Sequence, residues 1–295
     1  MKKAYLIINS VAGKNRLRGQ LVDVAEKFCR QGYELIVHIT LYSGHASELA
    51  IRAIEEKAEL IVCCGGDGTL NEVVSGVVKA KSNIPIGYIP TGSTNDFAQS
   101  AGIPFFVDEA LDRVFEGEKV PMDVGSFNDR CFNYVASFGA FTAVSYNTPR
   151  ASKNMFGRLA YIFEGIKDLG SIVPHHAKFT TDDGTVIEGD YSFGAVGNSC
   201  SIGGVLHIPK DYVSMNDGKF EILLIKMPQN ANQLASIVYG LTWSDFSNEM
   251  FTLVHAKEIT VESDGSFDWS LDGEHEKGSK TVDIKNMHNV VNFML

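Results

Sequence analysis

A two-part rhythm runs through this chain. Over its first 120 or so residues, short apolar runs alternate with longer amphipathic stretches. The runs are Ala4 to Ile8, Tyr33 to Ile39, Leu60 to Cys64 and Ile84 to Ile89. Between them, Leu17 to Gln31, Gly44 to Lys57, Leu70 to Lys79 and Thr94 to Ala101 carry apolar residues near helical spacing. Strand followed by helix, repeated, is the pattern of parallel β-α units with crossover helices, so an α/β domain with a mostly parallel sheet is predicted. In such sheets ligands bind outside the carboxyl ends of the strands. Those ends are where the unusual sequence of this chain lies.

Beyond Asp123 the rhythm changes. Cys131 to Ala136, Ala177 to Thr181, Tyr191 to Val196, Phe220 to Ile225, Glu258 to Glu262, Phe267 to Leu271 and Val290 to Phe293 all read as extended. Turn signals such as Asp182-Asp183-Gly184 and Asn216-Asp217-Gly218 punctuate them, which predicts a mostly antiparallel β-sandwich. Helices are expected over Phe156 to Leu169 and Asn230 to Tyr239. A length of 295 residues suits two hydrophobic cores. The expected division is 1–125 and 126–295, with the last strand free to pack back on the first domain and an active site in the cleft between the two.

A formal net charge of −10 argues against a nucleic-acid partner, because the summed field repels a phosphate polymer. No apolar run approaches the roughly 18 to 20 residues that cross a bilayer. The opening MKKAYLIINS turns polar too soon for a secretory leader, so a cytoplasmic protein is expected. The five cysteines form no Cys-x-x-Cys pair and read as buried thiols. The histidines His175, His176 and His207 have no metal-ligand spacing, and His45 at a helix start suits capping as well as nucleotide contact.

The strongest local signal is Gly65-Gly66-Asp67-Gly68-Thr69, after one strand and before one helix. Glycines let backbone N–H groups approach a polyphosphate, and the helix N-terminus adds partial positive charge. A carboxylate there makes sense if Asp67 faces magnesium or its water shell. A plainer reading makes Thr69 and Glu72 a capping box, but that leaves three glycines around an aspartate unexplained. A second loop, Pro90 to Ala98, ends the next strand in the same way, with Ser93 and Asp96 as a possible capping pair. Two successive strands ending in glycine, hydroxyl and aspartate put Asp67 and Asp96 along one rim of the sheet. Asn9 to Lys14 ends the first strand and is a third, weaker element. Neither the Walker A pattern nor the protein-kinase motif set is present.

Near the end, Phe267 to Glu274 alternates apolar with polar residues. Strand alternation puts Phe267, Trp269 and Leu271 inward and Asp268, Ser270, Asp272 and Glu274 together on the other face. By pattern alone, a solvated strand face and a catalytic set of carboxylates are equally good readings.

Taken together, Asn9 to Lys14, Thr40 with Gly44-His45-Ala46, GGDGTLNE from Gly65 to Glu72, GSTNDFA from Gly92 to Ala98, Met122 to Gly125, Asp217-Gly218 and LDGE from Leu271 to Glu274 stand in one order. This set resembles the bacterial diacylglycerol kinase-like lipid kinases, which share a catalytic domain with eukaryotic diacylglycerol and sphingosine kinases. The resemblance implies ATP in the interdomain cleft, held by Asn9, Ser10, Val11, Ala12, Gly13, Thr40, Gly66, Asp67, Gly68, Thr69, Leu70, Asn71, Glu72 and Ser93. It implies that Asp67, Asp96 and Asp123 form an acidic network around a catalytic Mg2+. It also implies a separate structural Mg2+ on Asp217 and the backbone carbonyls of Ser214 and Lys219. Ser93 departs from the threonine usual at its position but keeps the hydroxyl.

The same resemblance tips the LDGE segment toward catalysis. Phosphoryl transfer needs alignment, charge neutralisation and a carboxylate that accepts the hydroxyl proton. Asp272 is read as that base, with Glu274 holding Asp272 or a metal-bound water. The implied reaction is ATP- and Mg-dependent phosphorylation of a lipid hydroxyl, diacylglycerol to phosphatidic acid. The alternatives are another lipid alcohol such as a sphingoid base or polyprenol, an NAD kinase with a similar GGDGT loop, and a catalytically silent nucleotide-binding regulator. A silent regulator is expected to lose its acidic groups, yet all five stand here. The lipid partner requires transient contact with a membrane surface. Phe105-Phe106 and Asn154 to Leu169 are the candidates for it, with Lys14, Arg16 and Arg18 as local basic groups. A homodimer is the default assembly.

Overall fold

The computed structural model describes residues 2–12, 17, 19–140, 172–203 and 206–295. The predicted helix over Phe156 to Leu169, the membrane stretch Asn154 to Leu169, and Gly13, Lys14, Arg16 and Arg18 lie outside the described residues. The chain divides into two compact units, Met1–Val124 with His288–Leu295, and Gly125–Met287.

In the first unit, β1 (Lys2–Ile8), α1 (Leu21–Arg30), β2 (Tyr33–Ile39), α2 (His45–Glu55), β3 (Leu60–Gly65), α3 (Asp67–Lys79), β4 (Pro85–Pro90), α4 (Asp96–Ala101) and α5 (Val107–Glu116) succeed one another. The sheet is parallel, in the order β2-β1-β3-β4. Every residue of β3 is buried, as expected of a strand covered on both faces. β2, at the edge, leaves Val37 and Ile39 exposed. α1 starts four residues later than its apolar spacing suggests, because Gly19 lies in the turn before it. α5 adds to the predicted elements, and its Val107, Ala110, Leu111 and Val114 have helical spacing and are all buried. Val114 fills the space over Gly87 of β4, where an added Cβ would lie 2.7 Å from that valine.

β5 (Lys119–Phe127) carries the chain into the second unit, whose strands are β6 (Arg130–Phe132), β7 (Val135–Gly139), β8 (His175–Thr181), β9 (Val186–Gly197), β10 (Ser201–Ile202), β11 (Leu206–His207), β12 (Phe220–Lys226), β13 (Phe251–Ala256), β14 (Glu258–Ser263), β15 (Trp269–Leu271) and β16 (Glu274–Glu276). Among the described residues an α-helix, α6 (Ala231–Trp243), interrupts them and takes its N-cap from Asn230, whose side chain accepts the Gln233 amide. The pairings β7-β9, β9-β8, β8-β14, β9-β12 and β12-β13 are all antiparallel. An aromatic core of Phe132, Phe138, Phe179, Phe220 and Trp269 lies on one side of this sheet. A second cluster packs Ile237 and Leu241 of α6 on Phe193, Leu223 and Ile225.

β17 (Thr281–Met294) runs antiparallel to β14 through residues 281–285. Its last residues return to the first unit and pair in parallel with β4, Asn292 opposite Pro85 and Phe293 opposite Ile86. The architecture is therefore a parallel α/β unit followed by an antiparallel β-rich one. Among the described residues, no helix is long and apolar enough to cross a membrane.

Candidate active site

The sequence-flagged residues of the first unit gather at the carboxyl ends of β1, β2, β3 and β4. Asn9 leaves β1, and its side chain folds the next loop by accepting the amides of Val11 (3.1 Å) and Ala12 (3.3 Å). Its amide nitrogen donates to Thr69 Oγ1 at 2.9 Å, tying that loop to the GGDGT segment. Ser10 and Val11 are exposed beside it. Thr40 ends β2 and donates its backbone N–H to Ile8 at 2.8 Å.

Gly66 is the N-cap of α3, and no side chain caps that helix. Its first N–H groups thus face outward at the sheet rim, the ordinary setting for an anion. The next loop lies against it so closely that a Cβ on Gly92 would sit 2.6 Å from Gly66 Cα. Hydrogen bonds join these loops. Asp67 Oδ1 accepts the amide of Phe97 at 3.3 Å, and the Tyr88 hydroxyl reaches Gly65 O at 3.3 Å and Asn95 Oδ1 at 3.4 Å. Burial pushes the Tyr88 phenol well up, and the negative charges of Asp67 and Asp96 add to it, so both carboxylates lie within its field. Asp67 and Asp96 are buried, whereas Ser93 is exposed.

Both capping alternatives fail here. α3 begins at Asp67, so Thr69 is already inside the helix, and Glu72 reaches away to cap α2 instead. Its Oε1 accepts the Gly44 amide at 2.7 Å and its Oε2 the Ala46 amide at 3.0 Å. The N-cap of α4 is Asn95 in the left-handed region, not Ser93, and its side chain accepts Gly92 N at 2.8 Å. Gly68, Leu70 and Asn71 lie in the first turns of α3. His45 accepts the Leu41 amide and stacks on Tyr42 at 4.5 Å, a packing role. Asp123 stands on β5, where its Oδ1 accepts Asn289 N at 2.7 Å and His288 Nδ1–H at 2.9 Å. No local pattern marks His288 and Asn289 as partners of Asp123, or Tyr88 as the bridge between Gly65 and Asn95.

In the second unit the LDGE segment is a hairpin turn rather than a straight strand. Asp272 and Gly273 have φ of 51° and 89°, the pair of left-handed residues that a two-residue turn between β15 and β16 requires. Alternation therefore stops at Leu271, which corrects the expected shared face: Asp268 is exposed, while Ser270 and Asp272 are buried. Asp272, 5 % exposed, accepts the backbone amides of Asn133 (2.6 Å), Tyr134 (3.0 Å) and Val135 (3.0 Å). These amides turn away from the sheet to reach it, which is why the expected strand Cys131 to Ala136 is split into β6 and β7. Three backbone N–H donors on its two oxygens leave this carboxylate little acceptor capacity for a substrate hydroxyl. Glu274, 46 % exposed by its side chain, sits two residues on, where Arg130 pairs with it at 3.0 Å and with Glu276.

A family model for the diacylglycerol kinase catalytic domain matches residues 3–127. A diacylglycerol kinase of Bacillus subtilis (strain 168) is 32% identical over 276 residues, covering 93% of this chain and 90% of its own. The chain belongs to the diacylglycerol kinase family. A second member, from Staphylococcus aureus (strain MRSA252), is 30% identical over 275 residues, covering 93% and 86%. The fold agrees with the crystal structure of a diacylglycerol kinase from Bacillus anthracis str. Sterne, at a TM-score of 0.76 and 24% identity, covering 99% of this chain and 96% of the other.

The two cation sites implied for this kinase can be tested on its own atoms. At the sheet rim, Asp67 and Asp96 are hard oxygen donors beside an uncapped helix start whose N–H groups suit an anion, a donor set that fits Mg2+ with a nucleotide. At the loop 214–219, Asp217 Oδ1 accepts the Lys219 amide at 2.9 Å, and Gly218 has φ of 78°. The carbonyl of Lys219 also accepts from Asn286 Nδ2 at 3.1 Å. Among the described residues no three acidic, histidine or cysteine side chains gather as a metal site, so a cation here would depend on carbonyl oxygens. Beside this loop Glu221 is buried, and neither of its oxygens makes a hydrogen bond among the described residues. Burial pushes its carboxyl up to about 8, helped by the charge of Asp217, while amides at Glu221 and Ser214 pull the other way without reaching hydrogen-bond geometry. That uncompensated oxygen set fits a hard divalent cation.

Proposed function

We propose that this kinase transfers the terminal phosphoryl group of ATP to the hydroxyl of diacylglycerol, making phosphatidic acid at the cytoplasmic face of a membrane. The observation that carries this reading is the joined pair of strand-end loops, in which Asp67 bonds Phe97 and Gly66 lies against Gly92. It stands in a chain whose curated relatives are named diacylglycerol kinases. Asn9, Ser10, Val11, Ala12, Thr40, Gly66 to Glu72 and Ser93 line or support the nucleotide, with Glu72 acting through the start of α2. Asp67, Asp96 and Asp123 supply the negative charge for Mg2+ partly through its water shell, because among the described residues no three acidic side chains gather as direct ligands. When bound, that ion neutralises charge on the transferring phosphate. Asp217, with the carbonyls of Ser214 and Lys219, holds a structural cation.

For the proton of the acceptor hydroxyl we assign Glu274, supported by its exposure and by the saturation of Asp272. Asp272 is a positioning residue, whose clamp on three amides sets the turn that presents Glu274. Phe106, a fully apolar side chain 72% exposed, is a contact point for the lipid surface.

Transfer of labelled phosphate from ATP to diacylglycerol, sphingosine and a polyprenol in mixed micelles, and to NAD in solution, tests the reading. Diacylglycerol is expected to be the best acceptor, and EDTA to abolish transfer. Glu274→Gln should lower kcat by about 10²- to 10⁴-fold with an unchanged thermal midpoint. Asp272→Asn should lose activity and stability together, by about 1–3 kcal/mol, because it leaves a buried amide poorly paired. A preference for NAD would sink the proposal, and near-normal turnover in Glu274→Gln would return the proton to another group.

A further inference from the structure

The segment after the Asp217 loop contains a buried carboxyl that has no hydrogen-bond partner among the described residues. Glu221 stands on β12 between Gly197 of β9 and His255 of β13, in the middle of the antiparallel sheet. It is 2 % exposed, and both carboxylate oxygens are without a hydrogen-bond partner among the described residues. The nearest cationic candidate, His255 Nε2, is 3.7 Å away and already faces the Tyr212 carbonyl at 2.9 Å, a contact that a neutral imidazole satisfies by donating its Nε2–H.

A second orphan acceptor adjoins the same loop. Asn198, 1 % exposed, donates its Nδ2 to the Met215 carbonyl at 3.2 Å, which fixes the amide's orientation and leaves Oδ1 buried without a partner among the described residues. Asp217 adds another negative charge that Glu221 feels. Each unbalanced atom here is an oxygen acceptor, and no Lys or Arg pairs with Glu221 or Asp217 among the described residues. A carboxyl buried without a hydrogen-bond partner either keeps its proton or finds a counter-charge, and the hard oxygen donors gathered with it here select a hard divalent cation as that charge.

We propose that Glu221 is the second anionic group of the cation site formed by the loop 214–219, and that the Asn198 Oδ1 belongs to the same shell of oxygens. The ion thereby balances a charge inside the β-rich unit, so its role is to complete the core of that unit rather than to take part in transfer. This rests on the reading of Asp217, Ser214 and Lys219 as a cation site.

The test is thermal unfolding of the full chain without nucleotide, after chelation, against Mg2+ and Ca2+ titrations. For the wild type, saturating metal should raise the midpoint by roughly 4 °C or more. Glu221→Gln, which removes the buried charge, should melt higher than the wild type after chelation and gain less than half of that metal shift. Glu221→Asp keeps the charge and should keep most of the response, which separates loss of a ligand from damage to packing. Asp217→Asn should abolish the response. If Glu221→Gln gains the full shift while Asp217→Asn gains none, the cation site stands and the role of Glu221 is overturned. If the wild type shows no shift, or Asp217→Asn keeps it, the site itself is absent and the inference falls with it. Equal destabilisation of Glu221→Gln with and without metal would assign the compensating charge to His255 instead.

Discussion

Gly92 has no room for a side chain. Its missing Cβ would lie 2.6 Å from the backbone of Gly66 and 2.6 Å from Asn95 Oδ1, so the two strand-end loops touch through bare backbone. Gly92→Ala must push them apart, and strain of about 1–3 kcal/mol is the usual cost of such overpacking. The expected outcome is a nucleotide Kd raised about tenfold, the change that corresponds to 1.4 kcal/mol, in a chain that still folds. Binding of a fluorescent ATP analogue measures this directly, and unchanged affinity would mean that the two loops do not share a ligand. The glycines are legible in the sequence because a run of them between strand and helix has few other uses. The Tyr88 hydroxyl that spans the same loops is not, because a tyrosine in an apolar strand reads as core.

Hairpins decide where the carboxylates of the second unit go. Leu271-Asp272-Gly273-Glu274 reads by alternation as continuing strand, although Asp-Gly between two extended segments is also a strong signal for a tight turn. Giving the turn signal priority separates Asp272 from Glu274 without any tertiary information. The hairpin between β8 and β9 shows the same chemistry in exposed form. Asp183 accepts the Thr181 hydroxyl at 2.6 Å and the Thr185 amide at 2.9 Å, and these bonds hold its carboxyl down at about 2. A folded-state value below the unfolded one of about 3.9 means that its stabilising effect is fully present above that pH and is lost as pH falls through about 2. A carboxyl titration by NMR should therefore find Asp183 ionised down to about pH 2. Titration near 4 would show that the turn bonds do not form in solution.

The chain enters the second unit once, in β5, and returns once, in β17. The return is short but completes the first unit: Phe293 packs on Phe97 at 4.6 Å, Leu295 exchanges backbone bonds with Glu118, and His288 and Asn289 hold Asp123. Deleting residues 288–295 should destabilise residues 1–124 by at least about 3 kcal/mol, the usual cost of losing one buried phenylalanine. It should also abolish stabilisation by nucleotide. Limited proteolysis with and without ATP checks both, and wild-type protection in the truncated chain would contradict this account of the first unit.

The order of strands and helices in the α/β unit, its glycine-rich strand-end loops and the antiparallel character of the second unit follow from the residues alone. Periodicity and turn chemistry act between near neighbours, so they can be read along the chain. It took the folded chain to show that Asp272 is held by three backbone amides, that Glu72 caps a different helix, and that Glu221 is buried with no hydrogen-bond partner among the described residues. Those states are set by groups far away in sequence, such as Tyr134, 138 residues before Asp272. Whether a carboxylate is held or available depends on those distant N–H groups and on burial, and a local pattern carries neither.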